Sequence, residues 1–186
     1  MICGMDEVGR GPLAGPVVAS AVVLPPDFPV EILADSKKLS EKKRKEAYDI
    51  IIQKAVSYGT GWVWPEEIDE INILQASLLA MKRAWLDLSV PVRPDRILVD
   101  GIFVPPIETD IPMEAIVKGD DKIHEIMAAS ILAKVQRDQW MVDYSKIDGR
   151  YGFEKHKGYP TKAHREAVAK YGLSPIHRKS FRVSVS

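Results

Sequence analysis

Two short apolar stretches near the start of the chain are separated by a turn rich in glycine and proline. Residues 1–7 and 14–24 consist mainly of β-branched and small apolar side chains, and the segment GRGP lies between them. This composition is typical of strands, and the intervening turn formers predict a hairpin. Short apolar runs predict three further strands, in YGTGWVW (58–64), RILVDG (96–101) and EAIV (114–117).

Longer segments with apolar side chains at helical spacing lie between and after these strands. Residues 41–56 follow Ser40, whose hydroxyl is suited to cap the first turn of a helix. Residues 72–88 predict an amphipathic helix, and two more helices are predicted over 122–145 and 162–171. Early strands followed by alternating strands and helices predict an α/β fold with a mixed sheet.

Size and composition limit the class of protein. A chain of 186 residues with 46% hydrophobic side chains is long enough to bury one sizeable core. Cys3 is the only cysteine, which excludes a disulfide framework and a cysteine-rich zinc site. The chain shows neither an apolar signal segment nor an apolar run that could span a bilayer. We therefore expect a cytoplasmic protein that does not bind membranes.

The charge is balanced over the whole chain but not along it. Residues 150–186 carry nine basic and two acidic side chains, a net charge of +7, so the remaining residues carry −7. A basic segment in a neutral protein indicates a surface for an acidic polymer, although a solvated basic tail explains the same residues.

Acidic side chains stand at the ends of predicted strands and on a buried helix face. Asp6 and Glu7 close the first strand, and Asp100 closes the fourth. Ligands of open α/β sheets bind at such carboxyl ends. Asp138 lies seven residues after Ile131, so it continues the apolar stripe of the long helix.

Each of these acids also has an ordinary explanation. Asp6 and Asp100 are common turn residues, and Asp138 could pair with Lys134 or Arg137 on its own helix. Several carboxylates at one rim would nevertheless repel one another unless a cation neutralised them. Oxygen ligands without histidine or cysteine suit Mg²⁺ or Mn²⁺, so the acids together predict a divalent-metal site.

Six segments, in chain order, resemble the successive motifs of bacterial ribonuclease HII. They are MDEVGRGPLAGPVVASAVVL, DSKKLSEKKR, ILVDG, VKGDDKIHEIMAASILAKVQRD, HKGYPTKAH and PIHRKSF. The resemblance implies a ribonuclease H-like fold, with a five-stranded mixed sheet flanked by helices. It also implies a catalytic core over residues 1–148 and a basic, helical C-terminal segment over 149–186 that completes the substrate cleft.

The resemblance implies a function and a set of catalytic residues. Asp6, Glu7, Asp100 and Asp138 match the four carboxylates that hold two Mg²⁺ or Mn²⁺ ions in this family. The expected enzyme is a monomer that hydrolyses the RNA strand of RNA/DNA hybrids. It also cuts on the 5′ side of ribonucleotides embedded in duplex DNA, leaving 3′-hydroxyl and 5′-phosphate ends.

Substrate contacts are implied by the same motifs. Gly9, Arg10 and Gly11 match the turn that reads the ribonucleotide and the RNA-to-DNA junction. Tyr159 matches a tyrosine that packs on the sugar of the following nucleotide. The candidate phosphate contacts are Lys37, Lys38 and Lys118, whereas His156, His164 and His177 have no metal-ligand spacing and are interpreted as structural or close to phosphate.

Two other functions stay open at this point. A non-catalytic nucleic-acid-binding domain could use the acids to hold a structural ion. Another ribonuclease H-like nuclease, such as a junction resolvase, would need a symmetric dimer and no 2′-hydroxyl in its substrate.

Overall fold

A five-stranded mixed sheet forms the centre of the molecule. The computed structural model describes residues 1–184. The strands are β1 (Ile2–Val8), β2 (Val17–Val23), β3 (Ser57–Val63), β4 (Arg96–Asp100) and β5 (Met113–Ile116), in the order β3-β2-β1-β4-β5. β1 pairs antiparallel with β2 and parallel with β4, so the central strand joins a hairpin to a parallel pair.

Helices cover both faces of the sheet. They are α1 (Glu41–Lys54), α2 (Pro65–Ile71), α3 (Ile73–Leu86), α4 (His124–Ser145), α5 (Phe153–His156) and α6 (Lys162–Tyr171). Ala80 of α3 packs with Met5 in the core on one face. Ile51 of α1 and Leu132 of α4 pack with Val22 on the other. Each face therefore buries one side of the alternating strands.

The backbone of α4 lies directly on β1 at a glycine. A Cβ atom at Gly4 would lie only 2.4 Å from the amide nitrogen of Ile126, so no larger residue fits there. This close approach brings the chain just before α4, including the 3₁₀ turn Gly119–Asp121, to the carboxyl ends of β1 and β4.

The main elements confirm the sequence predictions, with small shifts at their ends. The hairpin, all five strands and the four helices are present, and the Ser40 hydroxyl accepts a hydrogen bond from the amide of Lys43 at 3.2 Å. The second strand begins at Val17 rather than at residue 14, because residues 14–16 belong to the turn. α2 and α5 were not predicted, since seven and four residues are too short for a helical pattern.

The C-terminal segment packs against the turn between β1 and β2. The amide of Leu13 donates to the carbonyl of Gly158 at 2.8 Å, and that of Gly15 donates to Ile176 at 2.9 Å. Ala14 shares a small core with Met141, Tyr151 and Phe153, among others. The predicted boundary near residue 148 stays a prediction. Within residues 1–184, no helix has both the length and the apolar character needed to cross a membrane.

Candidate active site

Three carboxyl groups converge at the carboxyl ends of the two central parallel strands. Carboxylate oxygens of Asp6, Asp100 and Asp120 all lie within 4.8 Å of one another. Asp6 and Asp100 meet because β1 and β4 are parallel neighbours, with Met5 opposite Val99 at the end of their ladder. Both strands therefore deliver the following acid to the same point.

Asp120 reaches the same point from the 3₁₀ turn before α4. Lys118 has a left-handed backbone, with φ of 54°, and the chain reverses there. The amide of Asp120 then donates to the Asp100 carboxylate at 3.2 Å. A Cβ at Gly119 would lie 2.6 Å from the end of the Ile126 side chain, which keeps this turn close to α4. Asp120 was missed in the sequence analysis, where the only available signal was the pair of acids in VKGDD.

Glu7 adds a fourth carboxyl group to the same cleft. It lines the cleft together with Asp6, Asp100 and Asp120. Its Oε1 lies 3.8 Å from the Arg10 guanidinium, whereas its buried Oε2 has no hydrogen-bond partner among residues 1–184. A buried carboxylate oxygen without a partner is costly unless something else binds it.

The raised pKa values of the clustered acids show that nearby cations within residues 1–184 do not fully neutralise their negative charges. Burial raises the pKa of Asp6 well above its ordinary value, and the charges of Glu7, Asp100 and Asp120 raise it further. Burial likewise raises the pKa of Glu7 and of Asp100. A divalent cation would relieve both the repulsion and the orphaned oxygen. An all-carboxylate donor set fits Mg²⁺ or Mn²⁺.

Asp138 lies outside this group, contrary to the sequence prediction. Its carboxylate pairs with Lys134 at 3.1 Å and faces a groove between α1 and α4. Lys134, the last α4 residue that lines the acidic cleft, precedes Asp138 by four residues, which is about 6 Å along the helix. Asp138 therefore lies one helical turn beyond the residues that line the cleft.

Cationic and hydroxyl side chains form the wall opposite the acids. The cleft has a volume of about 310 Å³, and its other lining residues include Ser36, Lys37, Arg44, Ser130 and Lys134. Lys37 contacts Asp120 at 3.0 Å and Asp121 at 3.7 Å. Lys38 and Lys118 are exposed and do not line the cleft, so the structure brings only Lys37 of the three predicted lysines to the acids.

The glycine-rich turn and Tyr159 meet beside this cleft. Gly9 is buried with φ of 96°, and a Cβ there would lie 2.8 Å from the carbonyl oxygen of Pro16. Arg10 and Gly11 are exposed, and a Cβ at Gly11 would lie 3.8 Å from the Tyr159 ring. Lys134, which lines the acidic cleft, has its ammonium group 5.7 Å from the centre of that ring.

The three C-terminal histidines are structural. His164 and His177 are buried, and a hydrogen bond of 2.8 Å links their Nε2 atoms. The Nδ1 atom of His177 lies 2.7 Å from the Ser174 hydroxyl. His164 Nδ1 lies 3.0 Å from the carbonyl of Tyr159, and the ring of His156 stacks on His164 at 4.2 Å. These rings support the backbone of Tyr159 and lie within the C-terminal core.

Comparison with known proteins decides the family. The family model for ribonuclease HII matches residues 3–184. Ribonuclease HII of Treponema denticola is 52% identical, over 98% of each chain. The chain belongs to the ribonuclease HII family. Ribonuclease HII of Clostridioides difficile is 56% identical over 97% of this chain and 69% of its own.

Solved structures agree with this assignment. Ribonuclease H2 from Pyrococcus horikoshii matches with a TM-score of 0.78 and 28% identity, over 98% of this chain and 94% of that one. A Mn²⁺ complex of Bst-RNase HIII has a TM-score of 0.75 at 18% identity, which shows a common fold only. The ribonuclease H-like fold with a five-stranded mixed sheet is thereby confirmed.

Family membership also settles the general chemistry. As a ribonuclease HII, the protein is a metal-dependent endoribonuclease that acts on RNA/DNA hybrids. The expectation of an enzyme that hydrolyses phosphodiester bonds is confirmed, and the non-catalytic binding domain and the junction resolvase are disfavoured.

Proposed function

We propose that the protein hydrolyses the RNA strand of hybrids and also cuts on the 5′ side of single ribonucleotides embedded in duplex DNA. The products carry 3′-hydroxyl and 5′-phosphate ends. The convergence of Asp6, Asp100 and Asp120 beside the orphaned oxygen of Glu7 supports this proposal most strongly. Such a group is suited to hold divalent cations against a phosphate.

The metal ligands in this proposal are Asp6, Glu7, Asp100 and Asp120. These four carboxylates would hold two Mg²⁺ or Mn²⁺ ions, which would supply a Lewis acid for the attacking water and for the leaving 3′-oxygen when bound. The protein holds the carboxylates in place through the β1–β4 ladder and the bond from the Asp120 amide to Asp100. Asp138 takes no metal in this account, because it lines the groove between α1 and α4 and not the cleft of the other acids.

The cationic wall of the cleft positions the phosphate. Lys37 faces Asp120, and once that carboxylate is neutralised its ammonium group is free to bind a phosphate oxygen. Lys134 and Arg44 line the same cleft. Lys38 and Lys118, which are exposed, remain candidates for more distant backbone contacts.

The turn of Gly9, Arg10 and Gly11 supplies the selectivity for a ribonucleotide. Telling RNA from DNA requires a contact to the 2′-hydroxyl, which both donates and accepts hydrogen bonds. Glycine lets the backbone approach the sugar closely, and the Tyr159 ring next to Gly11 offers a flat surface for the adjacent sugar.

We further propose that the enzyme acts as a monomer in the cytoplasm. All four acidic side chains, the cationic wall and Tyr159 come from one chain, so the site needs no second copy. In this proposal residues 1–148 form the catalytic core, and the described part of the predicted segment 149–186, up to residue 184, completes the substrate-binding surface beside the cleft; residues 185–186 lie outside the described residues.

Cleavage of defined duplexes tests the proposed function. The substrates are a DNA duplex with one ribonucleotide, a long RNA/DNA hybrid and an all-DNA duplex, each with Mg²⁺, with Mn²⁺ or with EDTA. We expect cleavage of the first two with either metal, at the 5′ side of the single ribonucleotide, and none of the third or in EDTA. Cleavage of the all-DNA duplex, or none of the single-ribonucleotide duplex, would contradict the proposal.

A further inference from the structure

Two arginine side chains are buried in the protein without an acidic partner. Arg137 on α4 and Arg178 near the C-terminus are 0% and 1% exposed. Neither forms an ion pair within residues 1–184. Burying a charged guanidinium is costly unless all its donors are used, and buried arginines usually pair with carboxylates.

Arg178 directs all its bonds to backbone carbonyls of the turn between β1 and β2. Its Nη2 donates to Gly9 at 2.6 Å, and its Nη1 donates to Arg10 at 3.1 Å and to Pro12 at 2.8 Å. Its Nε donates to Gly15 at 3.0 Å. One rigid fork therefore gathers four carbonyls of the turn around a single plane.

Arg137 completes the arrangement from the other side. Its Nε donates to Pro16 at 2.8 Å and its Nη2 to Ala14 at 2.9 Å, while its Nη1 donates to Lys157 at 2.8 Å. Its guanidinium carbon also lies 5.7 Å from the centre of the Tyr159 ring. Arg137 thus links the turn to the loop that carries Tyr159.

Closure of the turn alone does not need these two charges. Backbone hydrogen bonds from Leu13, Gly15 and Arg178 already tie the turn to the C-terminal segment. The two guanidinium groups also repel each other, and the pKa of each is lowered, mainly by burial. Burying both guanidinium groups therefore costs folding free energy, and what the two groups do in the folded protein is orient these peptide groups.

The orientation leaves part of the turn available to a ligand. The carbonyls of Gly9 and Arg10 are occupied by Arg178, whereas Arg10 and Gly11 are exposed. In the part of the chain that the structure describes, the amides of Arg10 and Gly11 have no acceptor. Free amide donors next to Tyr159 and the acidic cleft are suited to a sugar hydroxyl or a phosphate oxygen.

We propose that Arg137 and Arg178 are positioning residues for ribonucleotide selection, which fix the peptide orientation of the Gly9–Gly11 turn and its distance from Tyr159. This inference rests on the proposed role of that turn in reading the 2′-hydroxyl. Lysine in either place keeps one charge but cannot reproduce a planar fork to three or four carbonyls. The turn would then shift while the metal site stays intact.

The test compares Arg178→Lys and Arg137→Lys with a matched control, Arg83→Lys. Arg83 on α3 also donates to a backbone carbonyl, that of Trp62 at 2.7 Å, but it belongs to the α2–α3 region and pairs with Glu67. Steady-state kcat and KM are measured on the one-ribonucleotide duplex and on the long hybrid. The melting temperature of each variant fixes an assay temperature at which all are folded.

We expect kcat on the one-ribonucleotide duplex to fall about 100-fold in both positioning variants, the effect of a shift of about 1 Å at a reacting group. KM changes little, because phosphate contacts hold the duplex. For the long hybrid, kcat should fall less than about tenfold, because every nucleotide of its RNA strand carries a 2′-hydroxyl. Arg83→Lys leaves the ratio between the two substrates unchanged.

An equal loss on both substrates, or an unchanged ratio in folded Arg178→Lys and Arg137→Lys, would overturn the inference. If one variant does not fold, the other decides. Failure of the wild-type protein to cut the one-ribonucleotide duplex is a different result, because it would refute the proposed function itself.

Discussion

The acidic cleft and the arginine-bound turn lie side by side, but they differ in how fully their buried charged groups are matched by partners. In the cleft, Asp6, Asp100 and Asp120 crowd together, and the buried Oε2 of Glu7 has no partner among residues 1–184. In the turn, Arg178 and Arg137 are more deeply buried than most of the protein, yet their donors are matched by carbonyls.

This difference separates a binding site from a framework. A buried polar group that the protein leaves unpaired is costly, so it indicates a ligand that completes it. A buried polar group that hydrogen-bonds to several backbone groups of the protein stiffens the backbone around it. The acidic group is therefore a candidate site for cations, whereas the arginines and the nearby histidines hold the turn and Tyr159 in place.

Removing one acid from the crowded group should have the largest effect. We expect Asp120→Asn to lower cleavage about 1,000-fold, since a lost metal ligand removes several kcal/mol of transition-state stabilisation. Asp138→Asn is the matched control on α4 and should retain activity within about tenfold, equivalent to 1.4 kcal/mol. Single-turnover cleavage of the one-ribonucleotide duplex measures both, and comparable losses in the two variants would break the distinction.

The histidine cluster should lose stability in acid. Burial, followed by the charge of His164, lowers the pKa of His177 from 6.5 to about 4. The unfolded chain therefore takes up a proton that the folded chain excludes, and stability is lost as the pH falls from 6.5 towards 4. At about 1.4 kcal/mol per pKa unit, the loss is at most about 3.5 kcal/mol.

Thermal unfolding between pH 7.5 and pH 5 measures this effect. His177→Gln keeps a donor towards His164 but cannot be protonated, so its melting temperature should depend less on pH than that of the wild-type protein. His124→Gln, at an exposed histidine at the start of α4, is the control. Equal pH dependence in all three proteins would remove His177 from the explanation.

In contrast to the histidine cluster, the acidic cleft should gain stability when carboxylate charge is removed from it. Burial, together with repulsion from neighbouring carboxylates, raises the pKa of Asp6 and of Asp100, so the folded protein at neutral pH carries an electrostatic cost that the unfolded chain lacks. In EDTA, Asp120→Asn should therefore raise the melting temperature by about 2–4 °C, equivalent to about 1 kcal/mol. The ion pair with the exposed Lys37 offsets little of this gain. A lower melting temperature would show that the acids are stabilised without metal.

The smallest expected effect separates two neighbouring lysines. Lys37 lines the cleft beside Asp120, whereas Lys38 is exposed and lies outside it. Lys37→Ala should lower kcat/KM about fivefold, and Lys38→Ala should change it less than about twofold. Each contact to phosphate also contributes to the salt dependence of binding, which should flatten more in Lys37→Ala than in Lys38→Ala. The opposite ranking would show that the phosphate lies outside the cleft.

Local patterns predicted the parts of the molecule that depend on local rules. Strand composition and turn residues gave the hairpin, and the rule for strand ends identified Asp6, Glu7 and Asp100 as residues of one cleft. Asp120 lies on a single 3₁₀ turn, whose place depends on its bond to Asp100 and on the contact of Gly119 with Ile126. Neither interaction has a signature in the local sequence.

Two further differences have the same origin in tertiary structure. Helical periodicity assigns Asp138 to a face of α4, but it does not specify which point along that helix meets the strand ends. Arg178 was counted with the basic surface of the C-terminal segment, since arginine is seldom buried. Only the folded chain shows that the turn offers it four carbonyls.

In the proposed metal site, Asp120 and not Asp138 joins Asp6, Glu7 and Asp100 as a ligand. Calorimetric titration of Mn²⁺ into the wild-type protein, Asp120→Asn and Asp138→Asn tests this assignment without any substrate. We predict that Asp138→Asn binds Mn²⁺ as the wild-type protein does, while Asp120→Asn binds at least about tenfold more weakly, a difference of about 1.4 kcal/mol. Unchanged binding in Asp120→Asn together with weakened binding in Asp138→Asn would contradict the account.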